Sequence, residues 1–281
     1  MEPPTHTTHT THPTPPTVRV GVGGWSFEPW RDNFFPRGWP RARELEYVSR
    51  RLTAIEVNGT YYSSYKPATF AKWRDDTPDD FVFSLKASRF ATNRRVLAEA
   101  GESVERFLNQ GIAELAHKLG PVVWQFAPTT RFESADFEAF VDLLPARVAG
   151  VPLRHVLDVR HESFATPAYL ALARRHHVAT VFTDSDDYPS FADVTGEFVY
   201  ARLMRTDPKF GAGCAPEIFA PLAACARAWR DGAEPVGAPR IEPMPPTDTA
   251  PAAPRDVFVY FISGAKERAP AAAMALIDAL R

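Results

Sequence analysis

Short β-rich runs alternate with helical patterns along most of this chain of 281 residues, and this alternation constrains the fold more than any other feature. The runs predict eight strands, at Val18–Gly23, Ala54–Val57, Phe81–Lys86, Val122–Phe126, Val156–Val159, Ala179–Thr183, Phe198–Arg202 and Val257–Phe261. Strands that alternate with helices imply a parallel sheet. Eight such units, which typically take about 250 residues, predict an α/β fold of the TIM (β/α)₈ barrel type, with a doubly wound open sheet as the alternative.

Two apolar faces at helical spacing predict helices between these strands. One face comprises Val104, Leu108, Ile112, Leu115 and Leu119, and the other comprises Phe137, Phe140, Val141 and Leu144. The unit around strands six and seven is predicted to be irregular. Its link from Thr183 to Phe198 is short and contains Pro189, so we expect no full helix there.

Two segments of biased composition lie outside the barrel pattern. Residues 1–17 are almost entirely Thr, Pro and His, and we expect them to form a disordered tail. Residues 18–281 are expected to form one barrel domain. Within it, residues 232–254 are rich in Pro and Ala, which predicts a surface loop.

The charge balance argues against strong non-specific binding to nucleic acid or to a membrane surface. Lys and Arg number 32 while Asp and Glu number 34, so any anion site must be local. No apolar run approaches the length of a membrane span, and the N-terminus lacks the features of a signal peptide. We therefore expect a cytoplasmic protein without membrane contact, and the sequence makes no prediction of oligomeric state.

The stretch RVGVGGWSFEPW at Arg19–Trp30 does not favour a nucleotide-binding glycine loop. Ser26 occupies the position where a dinucleotide-binding turn has its third glycine, and a Gly-Lys-Ser/Thr ending is absent. Gly21 and Gly23 instead share the inward side of the first strand with Trp25. We expect them to leave room at the barrel axis for larger neighbours or for a ligand.

Polar residues follow the carboxyl ends of the predicted strands, where the active sites of TIM barrels lie. The candidate catalytic residues are Glu56, Asp158 and His161, and the candidate ligand-binding residues are Trp25, Asn58, Thr60, Tyr61, Trp73, Lys86, Arg89, Gln125, Arg160, Asp184, Tyr200 and Arg202. Charges at inward positions are costly unless they are paired or used. Six charged side chains at such positions therefore form either a ligand pocket or an internal salt-bridge network: Lys86, Arg160, Arg202, Glu56, Asp158 and Asp184. No motif predicts a metal site or a cofactor.

Several blocks of this sequence resemble, in order, the signature blocks of the domain-of-unknown-function 72 (YecE-like) family. These blocks are VGVGGWSFEPWRDNFFP, TAIEVNGTYYSSYKPATFAKWRDDTPDDFVFSLKASRF, KLGPVVWQFAPT, RHVLDVRHESF and DVTGEFVYARL. The resemblance implies a TIM barrel of uncharacterised biochemical role. Such a barrel is similar to those of sugar isomerases and apurinic endonucleases, which by analogy of fold suggests phosphorylated or nucleic-acid ligands.

The chain departs from the family pattern at several polar positions. The resemblance implies His where this chain has Asn93, Glu at Asp158, a His-Gly pair at Met204-Arg205, and Asp-Asn-Asp at residues 262–264. If the family's chemistry uses those side chains as acid, base or ligands, this chain has lost it.

Three functions remain open at this point. The favoured one is a pocket for a small ligand that carries phosphate or carboxylate, held by Lys86, Arg160 and Arg202, with Glu56 or Asp158 as the base if a reaction occurs. The second is a barrel that binds or processes nucleic acid, for which Arg89, Arg94 and Arg95 supply a modest basic cluster. The third is a catalytically degenerate scaffold, so the sequence does not decide whether the protein is an enzyme.

Overall fold

Parallel strands close into a barrel in the computed structural model, which describes residues 16–244 and 253–281. The strands are β1 (Val18–Gly23), β2 (Ala54–Val57), β3 (Val82–Lys86), β4 (Leu119–Gln125), β5 (His155–Asp158), β6 (Ala179–Asp184), β7 (Val199–Leu203) and β8 (Val257–Phe261). Each strand pairs with its neighbours in parallel, and β1 pairs with both β2 and β8. This closure confirms the TIM-type barrel and rules out the open sheet.

Helices surround the barrel in the described part of the chain. They are α1 (Glu44–Ser49), α2 (Gly59–Tyr62), α3 (Pro67–Asp75), α4 (Arg89–Thr92), α5 (Gly101–Leu108), α6 (Ser134–Asp142), α7 (Pro167–Arg175), α8 (Phe219–Arg230) and α9 (Ala269–Leu280). Short 3₁₀ segments lie at Glu28–Arg31, Arg41–Arg43, Leu97–Ala100, Ile112–Lys118, Glu162–Phe164, Pro216–Ile218 and Lys266–Arg268. A two-stranded antiparallel hairpin, Arg147–Val148 with Val151–Pro152, precedes β5.

Alternate side chains of each strand point into the barrel and into the surrounding helical layer, as the period of two in a strand requires. The interior cluster includes Val82, Val123 and Val181. The outer cluster includes Ile55 and Phe83, which pack with the apolar faces of the helices. The position of a residue along its strand therefore decides whether a polar side chain reaches the barrel axis.

Gly21 and Gly23 allow the barrel to close around its interior side chains. A Cβ on Gly21 would lie 2.1 Å from the carbonyl oxygen of Ala54 and 3.1 Å from Cε1 of Tyr260. A Cβ on Gly23 would lie 2.9 Å from Nδ2 of Asn58 and 3.0 Å from Cδ1 of Ile262. The space that the sequence assigned to larger neighbours or to a ligand is thus taken by neighbouring protein groups.

The longer of the two predicted helical faces is broken into three pieces. Helix α5 ends at Leu108, a 3₁₀ segment spans Ile112–Lys118, and Leu119 is the first residue of β4. Gly111 has a φ of 115° and Ala116 a φ of 51°, and these left-handed residues interrupt the helix. The second predicted face agrees better with the structure, because only Leu144 of its four residues lies beyond the end of α6.

The irregular unit lies where the sequence predicted it. Residues 185–198, between β6 and β7, contain no helix. The predicted tail at 1–17 lies outside the described residues apart from its last two positions. Of the predicted loop at 232–254, residues 232–244 contain neither helix nor strand, and residues 245–252 lie outside the described part. Among the described helices, none combines the length and the apolar character that crossing a membrane requires.

Candidate functional site

A buried arginine joins two carboxylates at the carboxyl end of the barrel. Arg202 on β7 donates through Nη1 to Oδ2 of Asp158 at 2.5 Å and through Nη2 to Oε1 of Glu56 at 3.0 Å. Burial alone would lower the pKa of Arg202, but Glu56 and Asp158 raise it above its ordinary value. The two carboxylates are fully buried, so this guanidinium is the group that makes their burial tolerable.

A tyrosine layer supports the carboxylates from below. The hydroxyl of Tyr200 donates to Oε2 of Glu56 at 2.8 Å, while burial and the nearby Glu56 raise the pKa of Tyr200. Ser84 and Tyr260 share a second hydrogen bond of 2.8 Å across the barrel interior. The sequence reasoning missed Ser84 and Tyr260, although both have the inward positions of β3 and β8 that would have identified them.

Arg160 forms the outer edge of the same cluster. Its Nη2 donates to Oδ2 of Asp158 at 3.0 Å and to Oε1 of Gln125 at 2.9 Å, and Gln125 also accepts from Arg202 at 3.1 Å. The guanidinium carbon lies 4.5 Å from the ring centroid of Tyr188 in the irregular segment after β6. The side chain of Arg160 is 11% exposed and that of Arg202 is 2% exposed, so Arg160 is the one of these two arginines that a ligand can reach.

Lys86 differs from the two arginines because no carboxylate of the described residues forms an ion pair with it. Its Nζ lies 3.9 Å from the ring centroid of Tyr61, and the residue is only 7% exposed. Within residues 16–244 and 253–281, the ion pairs of the cluster join Arg160 and Arg202 to the carboxylates, and none includes Lys86. Burial, followed by the charge of Arg202, lowers the pKa of Lys86 to about 8.

Two buried polar atoms near this cluster also lack hydrogen-bond partners among the described residues. They are Oγ1 of Thr183 and Nε of Arg202, which belong to residues paired in register on β6 and β7. Buried polar atoms in native proteins are almost always satisfied by protein or by water. The carboxyl end of the barrel interior therefore holds Lys86 and two further polar atoms that are available for hydrogen bonding.

Two cavities lie at opposite ends of the barrel. One of about 520 Å³ opens over the carboxyl ends of the strands, and its lining includes two arginines and three aspartates, namely Arg160, Arg205, Asp186, Asp187 and Asp207. The other, of about 820 Å³, lies at the amino ends and is lined in part by Arg154 and His155. There, His155 contacts Trp124 and Pro145 through its two ring nitrogens, and Arg154 is paired with Asp256. Lys86, Oγ1 of Thr183 and Nε of Arg202 lie at the carboxyl end, on the side of the smaller of these two cavities.

Asp184 does not join the cluster, contrary to the sequence prediction. It follows the inward Thr183 on β6, so its side chain leaves the barrel interior and pairs with Arg205 at 3.2 Å. Burial nevertheless raises its pKa. Arg205, at one of the positions where the chain departs from the family pattern, also pairs with Asp186 at 3.0 Å.

Trp25 and Trp73 do not line the opening either. Their rings meet edge to face at 5.0 Å, and Trp73 stacks on Phe83, which points into the outer helical layer. Gly24, with a φ of 76°, turns the chain after β1 and directs Trp25 away from the axis. Both tryptophans are therefore packing residues of the outer core.

Four further candidates have local structural roles or lie at the rim. The hydroxyl of Thr60 donates to the carbonyls of Val57 and Lys86, and the side chain of Asn58 donates to the carbonyl of Glu56. Nδ1 of His161 accepts from the backbone N–H of Ser163, capping a 3₁₀ segment. Arg89 is exposed at the rim, at the start of α4.

Two other departures from the family pattern have clear surroundings. Asn93 donates to the hydroxyl of Tyr61 at 3.1 Å, which helps to hold the ring that lies against Lys86. Ile262 belongs to the apolar cluster of the barrel interior. Where the resemblance implies an acidic side chain, this chain thus has an apolar one in the barrel interior.

Comparisons with known proteins identify relatives of this chain. A family model described as "Protein of unknown function DUF72" matches residues 19–281. The UPF0759 protein YecE of Escherichia coli K12 is 32% identical over 150 residues, which is 52% of this chain and 50% of that protein. The match therefore spans about half the length of this curated relative.

Solved structures with the same fold belong to that family as well. A DUF72 family protein from Enterococcus faecalis V583 superposes with a TM-score of 0.69 at 16% identity, covering 94% of this chain and 95% of the other. A DUF72 family protein from Thermotoga maritima MSB8 superposes with a TM-score of 0.66 at 19% identity, covering 94% of this chain and 98% of the other. At these identities the similarity demonstrates the fold and nothing more.

Proposed function

The chain belongs to the DUF72 family, and from that premise we propose that the carboxyl mouth of its barrel binds a small ligand with a phosphate or carboxylate group. Lys86 makes the primary contact with the anionic group, and Arg160 makes the second. Arg202 holds the two buried carboxylates in place and does not touch the ligand.

The observation that carries this proposal is the isolation of Lys86. An ammonium group that is almost completely buried loses much of its hydration, and this loss is normally compensated by a carboxylate or by several hydrogen bonds. Lys86 instead has the face of Tyr61 and the longer-range attraction of Glu56 and Asp158, which burial and the repulsion of Arg202 outweigh. A bound anion supplies the missing counter-charge.

The charge of the whole cluster supports the same reading. Three cations and two carboxylates meet there when Lys86 is protonated, so one positive charge remains uncompensated. The side-chain oxygens of Glu56 and Asp158 already accept from Arg202, Tyr200 and Arg160. We therefore assign the two carboxylates to positioning the arginines, in preference to the role of catalytic base that the sequence suggested.

Sulfate should bind to the protein with an affinity that depends on Lys86. In calorimetric titrations at pH 7, the Lys86→Met variant should bind sulfate at least about tenfold more weakly, since a single charge-assisted hydrogen bond is worth about 1.5–3 kcal/mol. The matched control is Lys266→Met. Lys266 also lies over an aromatic ring, with its Nζ 4.5 Å from the centroid of Phe27, but it is not part of the Arg202 cluster.

Two results would contradict this proposal. Sulfate binding that survives in Lys86→Met would show that the anion sits elsewhere, and equal losses in both lysine variants would show a general charge effect. If the protein is instead a degenerate scaffold, the unaltered protein should not bind sulfate, which is the opposite of our prediction.

A further inference from the structure

Two large aromatic side chains project from the rim beside Lys86. Tyr62 lies on α2, directly after β2, and Phe90 lies on α4, directly after β3. Each is 62% exposed, which is unusual for rings of this size on helices that otherwise pack against the barrel. Both rings stand at the carboxyl end of the barrel because the segments that follow the strands begin there.

A guanidinium group lies close to both rings. The Cζ atom of Arg89 is 5.9 Å from the ring centroid of Tyr62 and 5.4 Å from that of Phe90. Arg89 is exposed and takes no part in an ion pair with any other residue of the described ranges. We call Tyr62, Arg89 and Phe90 the aromatic shelf.

The aromatic shelf is continuous with the site of Lys86. The rings of Tyr61 and Tyr62 meet edge to face with their centroids 5.0 Å apart, and Lys86 lies on the Tyr61 ring. A small cavity of about 100 Å³ lies beside Tyr62 and Phe90 and is also lined by Ser63, Ser88 and Ser103. The contact between Tyr61 and Tyr62 therefore joins the site of Lys86 to a surface that carries aromatic rings and hydroxyl groups.

We propose that the ligand is a nucleoside phosphate, with its phosphate at Lys86 and its base stacked on the aromatic shelf. This inference rests on the proposed function, since the same lysine anchors the phosphate. Aromatic faces with an adjacent arginine are the surface on which bases stack without regard to their identity, and serine hydroxyls suit the sugar. A free nucleotide and the terminal nucleotide of a single strand offer this chemistry equally.

Affinity for AMP, compared with ribose 5-phosphate and sulfate, tests the inference on the full-length protein. AMP should bind at least tenfold more tightly than ribose 5-phosphate, the gain expected from stacking one base. Tyr62→Ala and Phe90→Ala should each reduce AMP affinity toward that of ribose 5-phosphate, and Phe90→Ala, which removes no ring packed on Tyr61, should leave sulfate affinity unchanged. Val236→Ala, which also removes an exposed apolar side chain, is the control and should change nothing.

The outcomes separate this inference from the proposed function. Equal affinity for AMP and ribose 5-phosphate, with Lys86-dependent sulfate binding intact, would overturn the aromatic shelf alone. If the unaltered protein binds no sulfate, both the aromatic shelf and the proposed function are overturned. A 5′-phosphorylated trinucleotide that binds more tightly than AMP, with the same dependence on Tyr62 and Phe90, would support the inference and assign the site to strand ends. Weaker binding of the trinucleotide would support it and assign the site to free nucleotides.

Discussion

Replacement of Arg202 by methionine should lower the free energy of unfolding by about 3–5 kcal/mol, the usual cost of leaving a buried charge without its partner. The guanidinium of Arg202 contacts both Glu56 and Asp158, and neither carboxylate has access to solvent. Removing it leaves Glu56 with only the hydroxyl of Tyr200 as a donor in the described part of the chain. Denaturant unfolding monitored by tryptophan fluorescence measures the loss.

Two further variants show whether the loss comes from the unpaired charges. Arg160→Met should cost much less, because Asp158 keeps its contact with Arg202 and Arg160 is already partly exposed. The double variant Glu56→Gln, Arg202→Met should recover part of the lost stability, since Glu56 then carries no unpaired buried charge and Asp158 keeps its ion pair with Arg160. If Arg202→Met and Arg160→Met cost the same, or if the double variant recovers nothing, the central role of Arg202 is wrong.

Replacement of Gly21 by alanine should lower the free energy of unfolding by about 3 kcal/mol or more, at or above the upper end of ordinary overpacking costs. The added Cβ would meet the backbone carbonyl of Ala54 at 2.1 Å, and backbone in a closed barrel cannot move aside as a flexible side chain can. The strain acts directly on the pairing of β1 with β2, which closes the sheet.

Gly211→Ala is the matched control for this substitution. No atom lies within 4 Å of the Cβ that it adds, so its effect on unfolding should be close to zero. A Gly21→Ala protein as stable as the Gly211→Ala protein would mean that β1 and β2 are not packed as described. The expected contrast depends on the location of the methyl group, because the two substitutions are chemically identical.

The periodicity of the strands made much of the site predictable from the sequence. Glu56, Asp158 and Arg202 share inward positions, and closure of the barrel brings inward side chains at the carboxyl ends together. The sequence could not distinguish Thr183 from Asp184, because a shift of one residue along a strand exchanges its two faces. It also placed Trp25 inward, since the turn made by Gly24 is not visible in an alternating pattern.

The three cations could not be ranked from the sequence. Lys86, Arg160 and Arg202 all satisfy the same positional rule, and only interatomic distances show that the two arginines are paired while the lysine is not. The aromatic shelf could not be predicted from the sequence for a related reason. The exposure of the Tyr62 and Phe90 rings depends on packing that no local sequence pattern encodes.

The titration of the Lys86 amino group, followed by NMR with and without sulfate and assigned with a Lys86→Arg variant, tests the central claim most directly. The account predicts a pKa of about 8 without sulfate, because burial disfavours the charged form. Sulfate should raise this pKa, and by linkage its affinity should be constant at lower pH and fall as the pH rises through 8. A pKa near the ordinary lysine value of about 10.4, unmoved by sulfate, would show that Lys86 is not an isolated buried cation and would contradict the account.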